Sequence, residues 1–229
     1  MPLLTRTNAT RFVTAFILVV VGASALLAAR APADDNLIDR FLQHPSELHT
    51  YEAVRHMEAA SLGHSGWIEA RTHYAPADGF TFTVTASGGS GIINNHVLRP
   101  ILQREKEMIA TGDSSKSALD KRNYDFAAGE RDADGTPRIL LHPLRREETL
   151  IDGSVLVGDS GDITRLEGRL AKNPSFWVKR ADIVRSYARI AGANVPVKLE
   201  SVAEMRIFGR ATMTMTYAYS NIDGQNVSN

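Results

Sequence analysis

The sequence predicts an α+β protein dominated by strands: an antiparallel sheet that bends around one long helix, with a short helix at the N-terminus. Three observations predict this fold. Several segments alternate apolar and polar residues, short turn signals separate them, and one long segment carries an apolar stripe at helical spacing. Clean alternation gives each strand one dry face and one wet face, so the dry faces need a cover.

The clearest strand signals are GFTFTVTA (79–86) and ATMTMTYAY (211–219), which place threonines on one face. Their opposite, apolar faces carry Phe80, Phe82, Val84, Met213, Met215, Tyr217 and Tyr219. The segments WIEARTHY (67–74) and VKLESVAEMRIF (197–208) alternate in the same way, and the second adds Met205. Turn signals at Asp152-Gly153, Ser160-Gly161 and Phe208-Gly209 predict a meander of hairpins.

Two segments predict helices. The first is a short amphipathic helix over residues 35–43, which ends before His44-Pro45. The second is GIINNHVLRPILQREKEMIA (91–110), whose apolar stripe includes Ile93, Val97, Ile101 and Leu102. We expect Pro100 to kink or restart this helix, because its ring removes a hydrogen bond to the previous turn.

Composition narrows the possible functions. The chain has 229 residues, a formal charge of zero and no cysteine, which excludes disulfides and thiolate catalysis. No basic cluster predicts a nucleic-acid partner. The apolar run FVTAFILVVVGASALLAA (12–29) follows two arginines and precedes an Ala-x-Ala site, so we expect a signal peptide over 1–33, one domain over 34–222 and a flexible tail over 223–229. An uncleaved anchor is the alternative, because this run is just short of the ~20 residues of a spanning helix.

No catalytic motif is complete. GDSG (158–161) is reminiscent of serine proteases, but Asp162 follows it and no histidine occurs after His142, which favours a turn. SGGSG (87–91) lacks the Gly-Lys-Ser/Thr ending of a phosphate-binding loop and is typical of a flexible connector. The histidine spacing does not predict a metal site. We therefore expect no enzyme activity, no cofactor and no metal.

The second half of the chain resembles a known group. LHPLRR, DGSVLVGDSGDITRLEGRL, PSFWV, ANVPVKLES and FGRATMTMTYAYS occur in an order and spacing similar to those of the Lol-type periplasmic lipoprotein carriers of bacteria. The resemblance covers residues 137–220 and, less closely, the long helix. It implies a half-barrel of strongly curved antiparallel sheet, whose concave face is covered by the long helix and the short N-terminal helix, with an apolar cavity between sheet and helices. It also implies a periplasmic carrier or chaperone, with acyl lipids, lipid-modified proteins and a membrane-bound donor or acceptor as partners. It also implies a cationic residue early in the sheet that latches the closed state, and Arg71 is the candidate.

The predicted groove combines the two dry surfaces. Its sheet side is Phe80, Phe82, Val84, Met205, Met213, Met215 and Tyr217, and its helix side is Ile93, Val97, Ile101 and Leu102. Ordinary core packing is an equal alternative for any one of these residues, and it would suit an envelope scaffold or sensor. We expect the protein to be a monomer. An enzyme would need polar groups converging inside the cavity, for which Tyr217 and Tyr219 are the only candidates.

The pair Phe176-Trp177 lies in a predicted strand, where neighbouring side chains point to opposite faces. The apolar set changes from even to odd positions after Val178, which predicts a β-bulge near Lys179-Arg180. We expect Trp177 on the convex side or at the rim of the sheet.

Overall fold

A computed structural model describes residues 35–43, 48–206 and 209–227 of the protein. The predicted signal peptide and Ile207 lie outside these residues. Within them the strands are β1 (Tyr51–Ser61), β2 (His64–Ala75), β3 (Gly79–Gly89), β4 (Tyr124–Gly129), β5 (Arg138–Pro143), β6 (Ile151–Val157), β7 (Ile163–Leu170), β8 (Val178–Ile190), β9 (Ala193–Met205), β10 (Gly209–Ile222) and β11 (Gln225–Asn226).

The described strands form one antiparallel sheet in the order β3-β2-β1-β10-β9-β8-β7-β6-β5-β4, with β11 beside β10. The first and last strands of this order do not pair with each other, so the sheet is open. This confirms the predicted β-dominated half-barrel. Most strands bury every second residue, as the alternation predicted, because only one face of the sheet is covered.

The register aligns the dry faces into continuous rows across the sheet. One row crosses eight strands and every member is buried: Ile68, Met57, Met215, Leu199, Arg185, Leu166, Val155 and Ile139. These residues are directly paired neighbours, so their side chains pack against one another on the concave face. One charged residue, Arg185, lies in the middle of this apolar row.

The covering helix, residues 91–110, lies over this face. It consists of α2 (Gly91–Ile93), a π-helical turn (Asn94–Leu98) and α3 (Arg99–Ala110). The interruption comes just before Pro100, where the kink or restart was predicted. Pro100 has no N–H to donate to His96, and the Arg99 N–H instead bonds to the Asn94 carbonyl, which widens the turn.

Helix α1 (Asp35–Gln43) has the bounds predicted for the N-terminal helix and covers the β4 edge of the concave face. Its buried Phe41 packs against Phe126, with ring centroids 5.9 Å apart. Residues Asp113–Ser117 form a short 3-10 helix after the covering helix. No helix in the described ranges is long and apolar enough to cross a membrane.

Several details differ from the sequence predictions. Gly153 lies inside β6 and not in a turn, because it faces Gly168 across a very close strand pair. The segment predicted as a strand at PSFWV is a loop, and β8 begins at Val178. The bulge predicted there is confirmed: the register shifts between Val178 and Arg180. Trp177 is half-buried in this loop at the end of the sheet.

The C-terminal residues continue the sheet, and GDSG forms a turn. Residues 225–226, within the predicted tail, pair with β10, and Val227 packs against the core. GDSG connects β6 to β7 as a turn, in which Ser160 bonds to Asp162 with a distance of 2.7 Å. The sequence interpretation of this string as a turn is thus confirmed.

Candidate functional site

A buried ion pair joins the covering helix to the sheet. Arg55 of β1 donates to both carboxylate oxygens of Glu105 of α3, at 2.5 and 2.9 Å. Both side chains are almost fully buried, with exposures of 3% and 7%. A bidentate pair of this kind fixes direction as well as distance, so it sets where the helix lies on the sheet.

Aromatic rings surround the guanidinium of Arg55. Its Cζ lies 4.9 Å from the centre of the Phe80 ring and 4.8 Å from that of Tyr217, within the range of cation–π attraction. Arg55 also donates to the Tyr51 hydroxyl at 2.6 Å. Burial lowers the pKa of Arg55, but the Glu105 carboxylate and Tyr51 raise it, and the net shift is upward. Arg55 therefore stays charged under the helix.

A second buried arginine lies nearby on the concave face. Arg185 of β8 is 5% exposed and is hydrogen-bonded to Tyr187. Burial lowers its pKa, whereas Tyr187, Tyr217 and Glu105 raise it, and the net shift is again upward. The concave face therefore carries two cations and several phenols within an apolar surface.

This cluster corrects one expectation. Tyr217 and Tyr219 were predicted as the only polar candidates in the groove, yet Arg55, Arg185 and Glu105 converge there as well. The sequence carries a signal for each of them, because each charged residue occurs in phase with an apolar face. Arg55 lies between Ala53 and Met57 on β1, in the odd positions that β1 buries.

Arg71, the predicted latch residue, is exposed on β2 opposite Val54, so its side chain points away from the helix. Arg55 holds the buried position instead. The reason is the two-residue period of a strand: Ile68, Ala70 and Thr72 point to the concave face, and Arg71 points to the other.

The structure brings the predicted groove residues into one hydrophobic core. Fully buried are Phe80, Met213, Met215, Ile93, Val97, Ile101 and Leu102. Partly buried and packed against them are Phe82, Val84, Met205 and Tyr217. In this arrangement, the helix side and the sheet side of the predicted groove fill each other's space.

A surface depression of about 320 Å³ lies elsewhere, beside the β1–β2 turn. Its lining is Ala60, Ser61, Leu62, Gly63, His64, Ser65, Arg210 and Thr212, none of which belongs to the predicted groove. It is open to solvent and lies outside the cover of the helix.

The covering helix is flanked by glycines. Gly89 precedes it with φ of 74°, and Gly112 follows it with φ of 71°. A left-handed conformation is accessible to glycine without strain, so both ends can change direction. Chemically, the arrangement can fasten the helix reversibly and present cations to a polar ligand group. Both Glu105 oxygens accept from Arg55, which makes Glu105 an ion-pair partner and not an available base.

Buried tyrosines give the fold a dependence on alkaline pH. Burial raises the pKa of Tyr124 to about 12, and its hydroxyl accepts a hydrogen bond from the Ile151 N–H at 3.0 Å. The unfolded chain releases this proton near pH 10, so the free energy of unfolding falls as pH rises from about 10 to about 12. Burial also raises the pKa of Tyr51 and Tyr219.

We expect urea denaturation to show lower stability at pH 11 than at pH 9, with phenolate absorbance appearing together with unfolding. In Tyr124→Phe the decline with pH should be shallower than in the wild type. Equal declines in the two proteins would contradict the assignment to Tyr124.

The comparison with known proteins found similarity to solved structures only. No protein-family model and no curated protein matches the chain. Among solved structures, the chain is similar to a DUF1329 family protein from Desulfovibrio piger, with a TM-score of 0.40 and 11% identity over 81% of this chain and 90% of that one. It is also similar to a LolA superfamily protein from Nitrosomonas europaea, with a TM-score of 0.39 and 10% identity over 86% of this chain and 96% of that one.

Proposed function

We propose that the protein is an exported periplasmic carrier or chaperone that holds acyl chains non-covalently between the sheet and the covering helix. One observation carries the proposal. The apolar side of the helix closes over a floor of methionine and aromatic side chains, and a single bidentate ion pair, Arg55–Glu105, fastens it there. A helix held in this way can leave the sheet without breaking any strand pairing.

Burial of a lipid chain can offset the cost of displacing the helix. Displacing the helix exposes apolar surface on the concave face, and an acyl chain can cover that surface again. Each buried methylene contributes ~0.8 kcal/mol, so a chain of about sixteen carbons could supply ~10 kcal/mol before ordering costs. Met213 and Met215 suit this role, because flexible thioethers adapt to ligands of different shape.

The helix also has the local features that displacement requires. The glycines at its two ends provide hinges, and the π-helical turn at Asn94–Leu98 is a point where the hydrogen-bond ladder is already interrupted. Proposed motion of the helix therefore requires backbone changes at residues that tolerate them.

A scaffold or sensor with a permanently filled core is the alternative. The continuous core in this arrangement favours it, since the groove residues already satisfy one another's packing. The two functions differ in one measurable property: a carrier binds lipid, and a scaffold of this kind does not.

Native mass spectrometry of the protein purified from a bacterial periplasm tests the proposal. We expect a bound acyl lipid, identified by extraction, and a tenfold or greater loss of occupancy in Ile101→Glu, because a buried charge in the groove is strongly unfavourable. Gln103→Glu places the same charge on the exposed side of the same helix and should keep the lipid.

Circular dichroism establishes whether each variant folds. If Ile101→Glu does not fold, Phe82→Asp replaces it as the groove variant, because Phe82 is only half-buried. A mass without adduct, together with failure to load added lipopeptide, would exclude the carrier and favour the scaffold.

A further inference from the structure

One end of the half-barrel gathers several loops from across the sheet. Met205, at the end of β9, pairs with Val178 at the start of β8 and with Gly209 at the start of β10. Ala211 of β10 pairs with Ser61 at the end of β1. By the same antiparallel order, the segments 62–63, 90–92, 144–150, 171–177 and 206 all lie at this end, which we name the rim.

Exposed apolar side chains concentrate at the rim. Of the described residues, five large hydrophobic side chains are exposed: Leu62 (57%), Trp67 (37%), Ile92 (60%), Leu144 (58%) and Phe176 (73%). Leu62, Leu144 and Phe176 are in rim loops, and Ile92 is in α2, where the covering helix begins at the rim. Trp67 is near the rim end of β2, where it stacks on His56 with ring centroids 5.6 Å apart. Single exposed apolar residues are ordinary, but their concentration at one end marks an interaction surface.

Phe176 is held outward by Arg206. The Arg206 guanidinium donates to the Phe176 carbonyl at 2.7 Å and its Cζ lies 4.9 Å from the centre of the phenyl ring. The Arg206 backbone N–H donates to the Trp177 carbonyl at 2.8 Å. These contacts order the loop around an aromatic side chain that remains largely in solvent, so little ordering cost is left for binding.

Charge is distributed unevenly between the two ends. The two acids of the rim segments, Glu147 and Glu148, pair with Arg145 and Lys172. Arg146, Arg206 and Arg210 also lie at the rim, and none of these three has a carboxylate within 4.0 Å among the residues that the structure describes. The turns at the opposite end carry Asp78, Glu130, Asp132, Asp134, Asp159 and Asp223, with Arg131 among them. The molecule therefore presents a cationic, apolar rim at one end and an acidic surface at the other.

We propose that the rim docks on the surface of an anionic phospholipid membrane. The arginines contact the lipid phosphates, and the exposed side chains, above all Phe176, enter the interface between head groups and acyl chains. The acidic end then faces away from the membrane. A bilayer fits better than a protein partner, because the apolar side chains are spread over separate segments and the charge beside them is positive in excess: Glu147 and Glu148 pair with Arg145 and Lys172, which leaves Arg146, Arg206 and Arg210.

The proposal is independent of lipid binding in the groove. It is tested by flotation of the full protein with vesicles of phosphatidylcholine, alone or mixed with phosphatidylglycerol. We expect binding to the mixed vesicles, weakened by salt, with a loss of about fivefold or more in Arg210→Glu and about tenfold in Phe176→Ser. Phe176→Trp should retain binding, and Arg131→Glu, the same reversal at the acidic end, should not reduce it.

Three results would overturn the proposal. The first is absence of binding to mixed vesicles. The second is an equal loss of vesicle binding in Arg131→Glu and Arg210→Glu, which would show that the rim is not the site of binding. A loss of vesicle binding in Ile101→Glu alone would have the same consequence, because it would assign binding to the groove. The third is self-association in sedimentation that Phe176→Ser abolishes while vesicles remain unbound, which would assign the rim to a second copy of the chain.

Discussion

Removal of the Glu105 carboxylate is expected to lower the free energy of unfolding by about 3–5 kcal/mol. In Glu105→Ala, Arg55 remains charged and 3% exposed, with its aromatic neighbours but without a counter-charge. The cost comes from that uncompensated charge more than from the lost attraction, because water cannot reach the guanidinium while the helix is closed. Urea denaturation followed by circular dichroism measures the change.

Replacing both Arg55 and Glu105 separates the cost of the uncompensated charge from the loss of the attraction between them. In Arg55→Met with Glu105→Leu, no charge is left under the helix, and we expect stability close to or above that of the wild type. Glu107→Ala is the matched control, since Glu107 is exposed on the same helix and bonds to Gln103 at 2.9 Å; its effect should stay within about 0.5 kcal/mol. Equal losses in Glu105→Ala and Glu107→Ala would show that the pair does not hold the helix.

The buried pair thus has a function other than maximum stability. Apolar residues would cover the concave face at least as well, but they would allow the helix to slide. A bidentate contact has one geometry and is lost as a unit, which is suited to a helix with a defined closed position. This is the property that the proposed carrier needs and a permanently filled scaffold does not.

The strands could be predicted from the sequence because water covers one face of the sheet and the helix covers the other. Each strand therefore alternates polar and apolar residues. Thr81, Thr83 and Thr85 are exposed on β3, while Phe80 is buried and Phe82 and Val84 are half-buried, as alternation requires. The same argument places Met213 and Met215 on the concave face of β10. Burial on one side is a local property of a strand, so local pattern suffices to predict it.

The polar centre of the site could not be predicted in the same way. Arg55 is at an odd position of β1, like the buried residues Ala53 and Met57, so its side chain faces inward. Its partner, however, lies 50 residues away on a helix. Which helical residue reaches it depends on where the helix crosses the sheet, and the π-helical turn before Pro100 changes that angle. Arg71 was chosen because the resemblance implies a cationic residue early in the sheet, but neighbouring residues of a strand point to opposite faces, and Arg71 points away from the helix.

Gly153 shows why a turn signal can mislead, and it gives the second large prediction. Asp-Gly is typical of a hairpin turn, yet Gly153 is paired within β6, where a Cβ would lie 2.1 Å from the Glu167 carbonyl oxygen and 2.5 Å from the Gly168 Cα. Those neighbours are backbone atoms of β7, so they cannot move without separating the two strands.

We therefore expect Gly153→Ala to destabilise the protein by about 3 kcal/mol, at the upper end of the cost of overpacking. Gly158→Ala is the control: a Cβ there would lie 3.5 Å from Thr164 Cγ2, an ordinary contact, and its φ is negative. Urea denaturation of both variants measures the difference. A Gly153→Ala variant as stable as Gly158→Ala would mean that β6 and β7 have room to separate. The close Gly153–Gly168 approach would then not be needed to hold this part of the curved sheet together.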